Sequence, residues 1–522
     1  MERESDSMTA NETAFLEWAR GAAKPYAIPP SAGDLSDLQF LDKALGNARF
    51  VLLGENSHYI HEWNALRLRV FQYLVKHHGF RVFVLETGLI EGKLIYDYVL
   101  GADIAWDSVV ESVTNAWGVW AELQELIRWM RNYNESAPEG RKLKFYGMDG
   151  TGNWYHIQQA YAPIHEYLTE VDGDLADRFR AEFEVDLQRI RFEARDQLDE
   201  ADWQRLIANS ARLVSRMEQG RVRYVAKSSQ DSYDWTLRFA QTLRDVALCL
   251  AQVSVGFDSG FPAFWNTRDA AMAEHVAWIA DREGPAERFL IGAHNLHFLQ
   301  HPLGEQTPKV TPMGSFFASR VGRENLLVIA TNCAHSAKGD APLRDSNDYL
   351  YSQVGPESFF LDLRSAPTSG PVGAWLSEER HERANLFYGR VTPRLAWDCI
   401  CFHRTISIAT LDLPMSLQLT RGTVDSRRLV DFAGRYEVVS FLNFTSTLDI
   451  VCEGNKLYAD GSSDTFGELF PPYRVELQPS EDGRFFWSDW PANLEFHGEG
   501  RADRVTLRMP GMGTFEGRRA DT

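Results

Sequence analysis

The amino-acid sequence predicts an α/β protein: a mostly parallel central sheet flanked by helices, with a long helical insertion and a small all-β C-terminal domain. Three observations support this class. Short apolar runs alternate with helical patterns in the first third of the chain, strand patterns disappear between residues 154 and 255, and short β-rich runs with turn signals follow residue 431. Hydrophobic residues make up 44% and charged residues 24% of the 522 positions, which is typical of globular chains.

The strands of the sheet are predicted from short runs that are apolar on consecutive positions, as strands covered on both faces of a parallel sheet are. These runs span residues 49–54, 81–86, 143–147, 288–292 and 325–331. Between the first two runs, apolar residues recur every fourth position, at Leu66, Val70 and Leu74. This spacing predicts a helix over residues 62–78, ended by Gly79, and therefore a strand–helix–strand unit.

The domain organisation follows from the places where these patterns change. We expect one α/β domain over residues 1–410, with a helical insertion at about 154–255. Its sheet is expected to continue through residues 359–363, 385–391 and 399–408, and the insertion is expected to contain helices over 186–200 and 203–218. Residues 411–430 are predicted to form a linker, and residues 431–522 a small antiparallel β domain with a docking, lid or dimer-contact role.

Charge and cysteine usage exclude several classes of protein. Seventy-three acidic against 54 basic residues give a net charge of −19, and no run of Lys and Arg is present, so nucleic acid is not expected as a partner. No apolar stretch approaches the roughly 18 residues of a membrane span, and the polar N-terminus lacks a signal-peptide pattern, so a cytoplasmic protein without membrane contact is expected. The five cysteines form no CxxC pair, which argues against a zinc site built on sulfur. The oligomeric state stays open.

Ionisable side chains follow four of the predicted strands where each strand ends. In an open α/β sheet, ligands bind outside the carboxyl ends of the strands, so these side chains are expected to meet at one edge. In chain order they are Glu55 and His58, then Glu86, then Asp149, then His294 and His297. Each of these residues, taken singly, could have a structural role instead of a functional one. A strand-end acid or histidine can cap the helix that follows, and an Asp before a Gly can form a turn. Four strand ends with the same chemistry favour a functional cluster that could serve acid–base or metal chemistry.

Further residues are candidates because of their place next to this edge. Arg67 flanks the buried stripe of the helix after the first strand, so it could direct its guanidinium to the strand-end carboxylates or lie at the surface. Tyr59 could line a pocket or pack in the core.

Several motifs of the sequence resemble the erythromycin esterase family. They are Gly54-Glu55-Asn56-Ser57-His58 with Arg67 and Glu86, the Trp117–Trp120 segment, Gly147-Met148-Asp149, residues 268–274, Ala293-His294-Asn295-Leu296-His297, and Met313-Gly314-Ser315. These motifs occur in order across about residues 40–410. Asn56, Tyr59 and Leu296 depart from the usual family pattern, and they bear on the substrate pocket more than on the chemistry.

The resemblance implies hydrolysis of a carboxylic ester, such as the lactone of a macrolide, with water as the nucleophile and without a metal or other cofactor. His58 matches the general base of the family. Glu55, Arg67, Glu86, His294 and His297 match its other active-site positions, and Arg268 is expected to contact a carboxylate. Arg268, Asp149, Tyr59 and Trp120 are taken as candidate substrate-binding residues.

The chemistry of these residue types is consistent with that activity. Histidine ionises near neutral pH and can deprotonate water, a carboxylate can hold its tautomer, and Arg67, or His294 and His297 if protonated, could stabilise an oxyanion. No Gly-x-Ser-x-Gly motif is present, and Ser57 is the one alternative nucleophile. Two other functions stay open. One is a metal-dependent hydrolase with His58, Glu86, His294 and His297 as ligands, and the other is a binding protein of the same fold.

Overall fold

The structure is a computed structural model that describes most of the chain. The described residues are 8–28, 33–115, 117–150, 157–187, 189–190, 197–254, 257–303, 309–337, 339–384, 387–439, 445–463, 473–510 and 513–520.

A mostly parallel central sheet organises the first four-fifths of the chain. Its eight strands in the described residues lie in the order β1-β7-β10-β6-β2-β5-β3-β4, and β7, next to the edge strand β1, is the one strand among them that runs opposite to the others. The strands of this part of the chain, including the separate pair β8 and β9, are β1 Lys24–Pro25, β2 Phe50–Glu55, β3 Val82–Gly88, β4 Lys144–Asp149, β5 Phe289–His294, β6 Leu326–His335, β7 Ser358–Asp362, β8 Arg380–Ala384, β9 Phe387–Val391 and β10 Cys399–Thr405. The predicted fold class is confirmed.

Helices flank the sheet, and further helices lie between β4 and β5 in the chain or directly before the C-terminal β unit. They are α1 Ala10–Ala22, α2 Phe40–Leu45, α3 His61–His78, α4 Leu89–Leu100, α5 Trp106–Ser112, α6 Ala121–Ser136, α7 Gln158–Val171, α8 Gly173–Phe183, α9 Glu200–Lys227, α10 Gln230–Val253, α11 Phe257–Glu283, α12 Asn295–Phe298, α13 Met313–Val321, α14 Asn347–Ser352, α15 Gly370–Leu376, α16 Pro393–Ala396 and α17 Leu429–Phe432. The predicted helix after the first strand is confirmed as α3, and Gly79 ends it with a φ of +69°, a conformation that glycine adopts at little cost. Among the described helices, none is both long enough and apolar enough to cross a bilayer.

Two predicted elements differ from the structure. The described part of the predicted run 385–391 does not join the central sheet, because Phe387–Val391 pairs with β8 as a separate two-stranded hairpin. Residues 385–386 lie outside the described residues. Only two residues connect β8 to β9, and so short a connection joins antiparallel neighbours, whereas a parallel strand requires a long crossover. The helix predicted over residues 186–200 is wrong where it is described, since Glu184–Asp186 is a 3-10 helix and a new helix begins at Glu200, capped by Asp199. Residues 188 and 191–196 lie outside the described residues. The helix predicted over 203–218 is confirmed within α9.

An antiparallel barrel follows the central sheet in the chain. In the described part of this unit, eight strands close on one another, with β11 paired to β18, and buried and exposed residues alternate along strands such as β11. The strands are β11 Gly434–Val439, β12 Thr445–Glu453, β13 Lys456–Ser463, β14 Val475–Pro479, β15 Phe485–Phe486, β16 Asn493–His497, β17 Arg504–Met509 and β18 Gly513–Arg519. The predicted all-β C-terminal unit is therefore present as a closed barrel.

A buried carboxylate pair attaches the β8–β9 hairpin to the sheet. Glu382 accepts hydrogen bonds from Trp397 Nε1 and Asn347 Nδ2, each at 2.9 Å. Asp348 accepts one from the backbone N–H of Arg383 at 2.8 Å. Burial, with the negative charge of Asp348, raises the pKa of Glu382 to about 8, so its carboxyl group keeps a proton at neutral pH.

We expect Glu382→Gln to weaken the dependence of stability on pH. Because the pKa is raised, the protonated carboxyl stabilises the fold fully below the usual value of 4.5, and this contribution is lost as the pH rises through about 8. An amide does not ionise, and Asn347 Oδ1, which has no hydrogen-bond partner in the described structure, can accept from it once the Asn347 amide turns. The variant should therefore lose less thermal stability than the wild type between about pH 5 and about pH 9.

Thermal unfolding midpoints at the two pH values measure this difference. Glu379→Gln, at an exposed glutamate beside the same hairpin, is the matched control and should behave as the wild type does. Equal losses in the wild type and in Glu382→Gln would show that the Glu382 carboxyl is not protonated in the folded protein.

Candidate active site

The carboxyl ends of three adjacent strands meet at one point of the central sheet. Strand β5 lies between β2 and β3, although it follows them by about 200 residues in the chain. This order places Glu55 directly beside His294 in the β2–β5 register, with Glu86 at the end of β3 on the other side of β5. The ligand-binding edge expected for an α/β sheet is therefore lined by the side chains that the sequence singles out.

The first group of side chains is centred on Glu55, whose carboxylate is fully buried. One carboxylate oxygen lies 2.5 Å from Nδ1 of His58, and the other accepts a hydrogen bond from Nη2 of Arg67 at 2.6 Å. Arg67 also donates from Nη1 to Asn64 Oδ1 at 2.8 Å. His58 keeps 14% of its side chain exposed, so a buried ion pair supports a histidine that solvent can reach.

The position of Arg67 depends on a glycine in the neighbouring strand. A Cβ atom on Gly292 of β5 would lie 2.8 Å from Nε of Arg67, closer than real Cβ contacts. The absent side chain lets the guanidinium lie flat against the strand. Gly292 therefore makes room for the arginine that pairs with Glu55.

The second group is a network of buried charges on the other side of His294. Arg268 donates to Asp149 at 2.6 Å and to Glu86 at 3.0 Å. His297 lies with Nε2 3.1 Å from Glu86 and with Nδ1 2.9 Å from Asp269. Three carboxylates thus share one guanidinium and one imidazole, and each of the five side chains is nine-tenths or more buried.

The protonation of the second group follows from its geometry. Burial alone would lower the pKa of His297, but the carboxylates of Asp269 and Glu86 outweigh it and raise the pKa to about 10. Burial likewise opposes ionisation of Glu86, yet the charges of His297 and Arg268 hold its pKa well below the usual value. His297 is therefore an imidazolium and Glu86 a carboxylate at neutral pH.

His294 lies between the two groups as a neutral ring. Burial lowers its pKa well below the usual value. Its Nδ1 accepts from the backbone N–H of Leu296, and its Nε2 lies 3.2 Å from the carbonyl oxygen of Asn56, which assigns the proton to Nε2. Its ring centroid is 5.0 Å from that of His58, and its backbone N–H donates to Glu86 at 2.8 Å. His294 therefore links both groups within one site.

Aromatic side chains form the wall next to His58. Trp117 lies 5.2 Å from the His58 ring and also contacts the Arg67 guanidinium. Tyr59 stacks at a tilt on Trp120, with a centroid distance of 5.4 Å, and donates its hydroxyl to the carbonyl oxygen of Asn115. Tyr59 and Trp120 are almost fully buried, so they support the wall from behind.

The structure thus brings together the predicted residues of the cluster. Glu55, His58 and Arg67 share one group, Glu86, His297, Arg268 and Asp149 share the other, and His294 joins them. Arg268 and Asp149, predicted as substrate-binding residues, pair with each other.

Sequence reasoning did not identify Asp269, Asn64 or Gly292. Asp269 follows Arg268 directly in the same motif, and Asn64 precedes Arg67 by three residues on one helix, so their spacing was the available signal. Gly292 ends a predicted strand, but the arginine that it accommodates comes from a distant segment.

Two of the four residues considered as metal ligands, Glu86 and His297, contact the guanidinium of Arg268. Arg268 places Nη2 3.0 Å from Glu86 Oε1 and Nη1 3.3 Å from Nε2 of His297. Within the described part of the chain, no group of three or more His, Cys, Asp or Glu side chains has the arrangement of a metal site. Glu86 and His297 are therefore members of the charge network around Arg268.

Comparison with known proteins assigns the chain to a family. The family described as erythromycin esterase matches residues 75–395, and the chain belongs to that family. It is 26% identical to the erythromycin esterase type II of Escherichia coli over 333 residues, which are 62% of this chain and 78% of that protein. It is 24% identical to the type I enzyme of Escherichia coli over 304 residues (56% and 73%), and 23% identical to the putative hydrolase YbfO of Bacillus subtilis (strain 168) over 313 residues (56% and 66%).

Solved structures show the same fold. A Bacillus cereus protein superposes with a TM-score of 0.66 at 22% identity, over 77% of this chain and 99% of its own. A mutant of the erythromycin esterase EreC in its open conformation superposes with a TM-score of 0.60 at 18% identity, over 73% and 97%. The resemblance drawn from the motifs is confirmed, and at the level of the family the chain is a hydrolase of the esterase type.

We expect Asp269→Asn to lower the pKa of His297. The carboxylate of Asp269 is the largest of the influences that raise this pKa above its usual 6.5, and asparagine removes that charge. A histidine with a raised pKa contributes stability that is full below 6.5 and is lost as the pH rises through about 10. The variant should therefore lose less thermal stability than the wild type between about pH 7 and about pH 10, although it is less stable at pH 7.

Unfolding midpoints across that range test this expectation. Asp281→Asn, at an exposed carboxylate on the same helix, is the control and should follow the wild-type curve. A fall of the same size in the wild type and in Asp269→Asn would mean that His297 is neutral in the folded protein.

Proposed function

We propose that the chain hydrolyses a carboxylic ester, with the lactone of a macrolide or a similar compound as its substrate, and that His58 activates the attacking water. The main support is the pairing of His58 with a buried carboxylate whose second oxygen is held by Arg67. The names of its relatives, two of them erythromycin esterases, support the same class of substrate.

The geometry suits His58 for general-base catalysis. With Nδ1–H donated to Glu55, the lone pair of Nε2 faces away from the carboxylate and can accept a proton from water. The hydroxide that forms attacks the ester carbonyl carbon, and the imidazolium that results is stabilised by Glu55, as a carboxylate stabilises the histidine of a catalytic triad. When the carbon–oxygen bond of the ester breaks, the imidazolium returns the proton to the leaving alkoxide, which yields a carboxylic acid and an alcohol.

Arg67 holds the Glu55 carboxylate in place during this cycle. Its guanidinium binds Glu55 and Asn64 at the same time, and both its neighbours and its own side chain are buried. A charge-assisted hydrogen bond in a buried site is stronger than in water, so Glu55 holds the His58 ring with little freedom.

The second group of charged side chains supports the reaction in two ways. It acts electrostatically on His58, and it fixes the ends of β3 and β5 against each other. Glu86 is a carboxylate near enough to His58 for the two charges to interact, so its negative charge favours the imidazolium that forms in the reaction. Its other oxygen accepts the backbone N–H of His294, which fixes the end of β5 against β3. His294 and His297 already direct both ring nitrogens to partners, so we assign them to this supporting role and not to oxyanion binding.

We expect His58→Ala to lose hydrolysis while the protein stays folded. Loss of a general base lowers the rate by about 10²–10⁴-fold, because water is then not deprotonated in the transition state. The assay is a panel of macrolides and simpler lactones, in which mass spectrometry detects the gain of one water. His77→Ala, at an exposed histidine of α3, is the control and should retain wild-type kcat/KM. A His58→Ala variant with the wild-type kcat/KM would show that another group is the base.

We expect Arg67→Lys to lower kcat by about tenfold or more, because an ammonium group cannot reproduce the planar fork that spans Glu55 and Asn64. Arg69→Lys is the matched control, since Arg69 lies on the same helix, is equally buried and binds Asp37 outside the site. That control should lose stability but keep its kcat. Equal kcat values for the two variants and the wild type would assign Arg67 a structural role alone.

The same assay distinguishes the proposed enzyme from the two alternatives, a metal-dependent hydrolase and a binding protein of the same fold. A metal-independent enzyme keeps its activity after exhaustive chelation, whereas a metal-dependent one loses it and regains it on addition of the ion. A binding protein would consume no ester on the panel while its ligands raised its unfolding temperature.

A further inference from the structure

Residues 407–412, here called the strap, lie across the loop that carries His58. The backbone N–H of Ala409 donates to the carbonyl oxygen of Tyr59 at 2.8 Å, and that of His61 donates to Ser407 at 2.9 Å. Ile408 forms an antiparallel bridge with Ile60 between these two bonds. The strap therefore pairs with the residues that directly follow His58.

The strap also pairs with the segment that contains Trp120. Asp412 donates its backbone N–H to Val119, and Ala121 donates to Thr410, each at 2.8 Å. Leu411 and Trp120 form an antiparallel bridge. Two segments that are 60 residues apart in the chain, one next to His58 and one at Trp120, are thus fixed to each other through the strap.

The barrel adds an aromatic side chain to this arrangement. Trp490, between β15 and β16, lies 6.1 Å from Tyr59 and 5.8 Å from Trp120, with its ring edge-on to both. It is 2% exposed. The three rings form one packed group, so the barrel reaches the wall of the site at its back.

This group holds Tyr59 in an unfavourable backbone conformation. Tyr59 has a φ of +59°, a left-handed value that residues other than glycine rarely adopt because of steric strain. Its backbone oxygen is bound by the strap, its hydroxyl by Asn115, and its ring by Trp120 and Trp490. His58 is the preceding residue, so the place of its imidazole depends on whether these contacts keep Tyr59 in this conformation.

We propose that Trp490 of the barrel is a positioning residue for His58, so that the C-terminal barrel forms part of the functional unit of the enzyme. The proposal rests on the proposed function in one respect, the role of His58 as general base. Without the Trp490 ring, Tyr59 relaxes, the His58 ring turns away from Glu55, and fewer molecules hold the base in its productive position. A displacement of about 1 Å in a catalytic group lowers the rate by up to about 10²-fold.

The test compares Trp490→Ala with Trp490→Phe and Trp487→Ala in the full-length protein. Trp487 lies in the same inter-strand segment and is equally buried, so its loss damages the barrel to a similar extent without removing the ring at Tyr59. We expect Trp490→Ala to lower kcat by about tenfold with a smaller change in KM, Trp490→Phe to recover most of it, and Trp487→Ala to retain it. If Trp490→Ala does not fold, Trp490→Leu keeps apolar volume without the ring and takes its place.

A second measurement separates this proposal from the proposed function. The ring resonances of His58, assigned by their absence in His58→Ala, report its hydrogen bond to Glu55 whether or not an ester is turned over. A change of these resonances and of their titration in Trp490→Ala, with Trp487→Ala unchanged, supports the proposal even if the wild type hydrolyses no ester. Unchanged His58 resonances in Trp490→Ala, or equal changes in both tryptophan variants, would overturn it whatever the wild-type activity is.

Discussion

The buried ion pair between Glu55 and Arg67 is the interaction on which the rest of the site depends. A carboxylate with no exposed surface is costly unless it is paired and hydrogen-bonded, and Glu55 meets this condition with Arg67 on one oxygen and His58 on the other. The strand order around β2, the glycine at position 292 and Asn64 all serve to place the guanidinium. Removing either Glu55 or Arg67 would leave the other as an unpaired buried charge, which is strongly destabilising. The pair therefore depends on the distant elements that hold both side chains in place.

The second charge network contains more acidic than basic side chains. Glu86, Asp149 and Asp269 are compensated by Arg268 and by a protonated His297, so three anions face two cations in a buried region. This leaves a net negative potential near His58, of the sign that favours an imidazolium during proton abstraction. The neutral ring of His294 lies between the two networks. Its backbone N–H, at the end of β5, donates to Glu86.

The part of the chain that matches the family is smaller than the functional unit that we propose. The match covers residues 75–395, whereas Glu55, His58 and Arg67 precede it and the strap and barrel follow it. The barrel is connected to the site by backbone pairing along the strap and by the Trp490 ring. We keep the proposed division into residues 1–410, a linker over 411–430 and a β unit over 431–522, with the strap as the element that couples the first to the last.

The sequence by itself determined β2 to β7 and β10 of the central sheet, the helix α3, the all-β C-terminal unit and most of the candidate side chains, because buried parallel strands and the residues at their ends have local patterns. It did not determine that β5 lies between β2 and β3, that β9 leaves the sheet, or that Asp269 and Gly292 belong to the site. Strand order and side-chain pairing arise from packing between segments far apart in the chain, where each contact depends on the position of all the others. Only the tertiary structure therefore showed which of the predicted acids, histidines and arginines pair with one another.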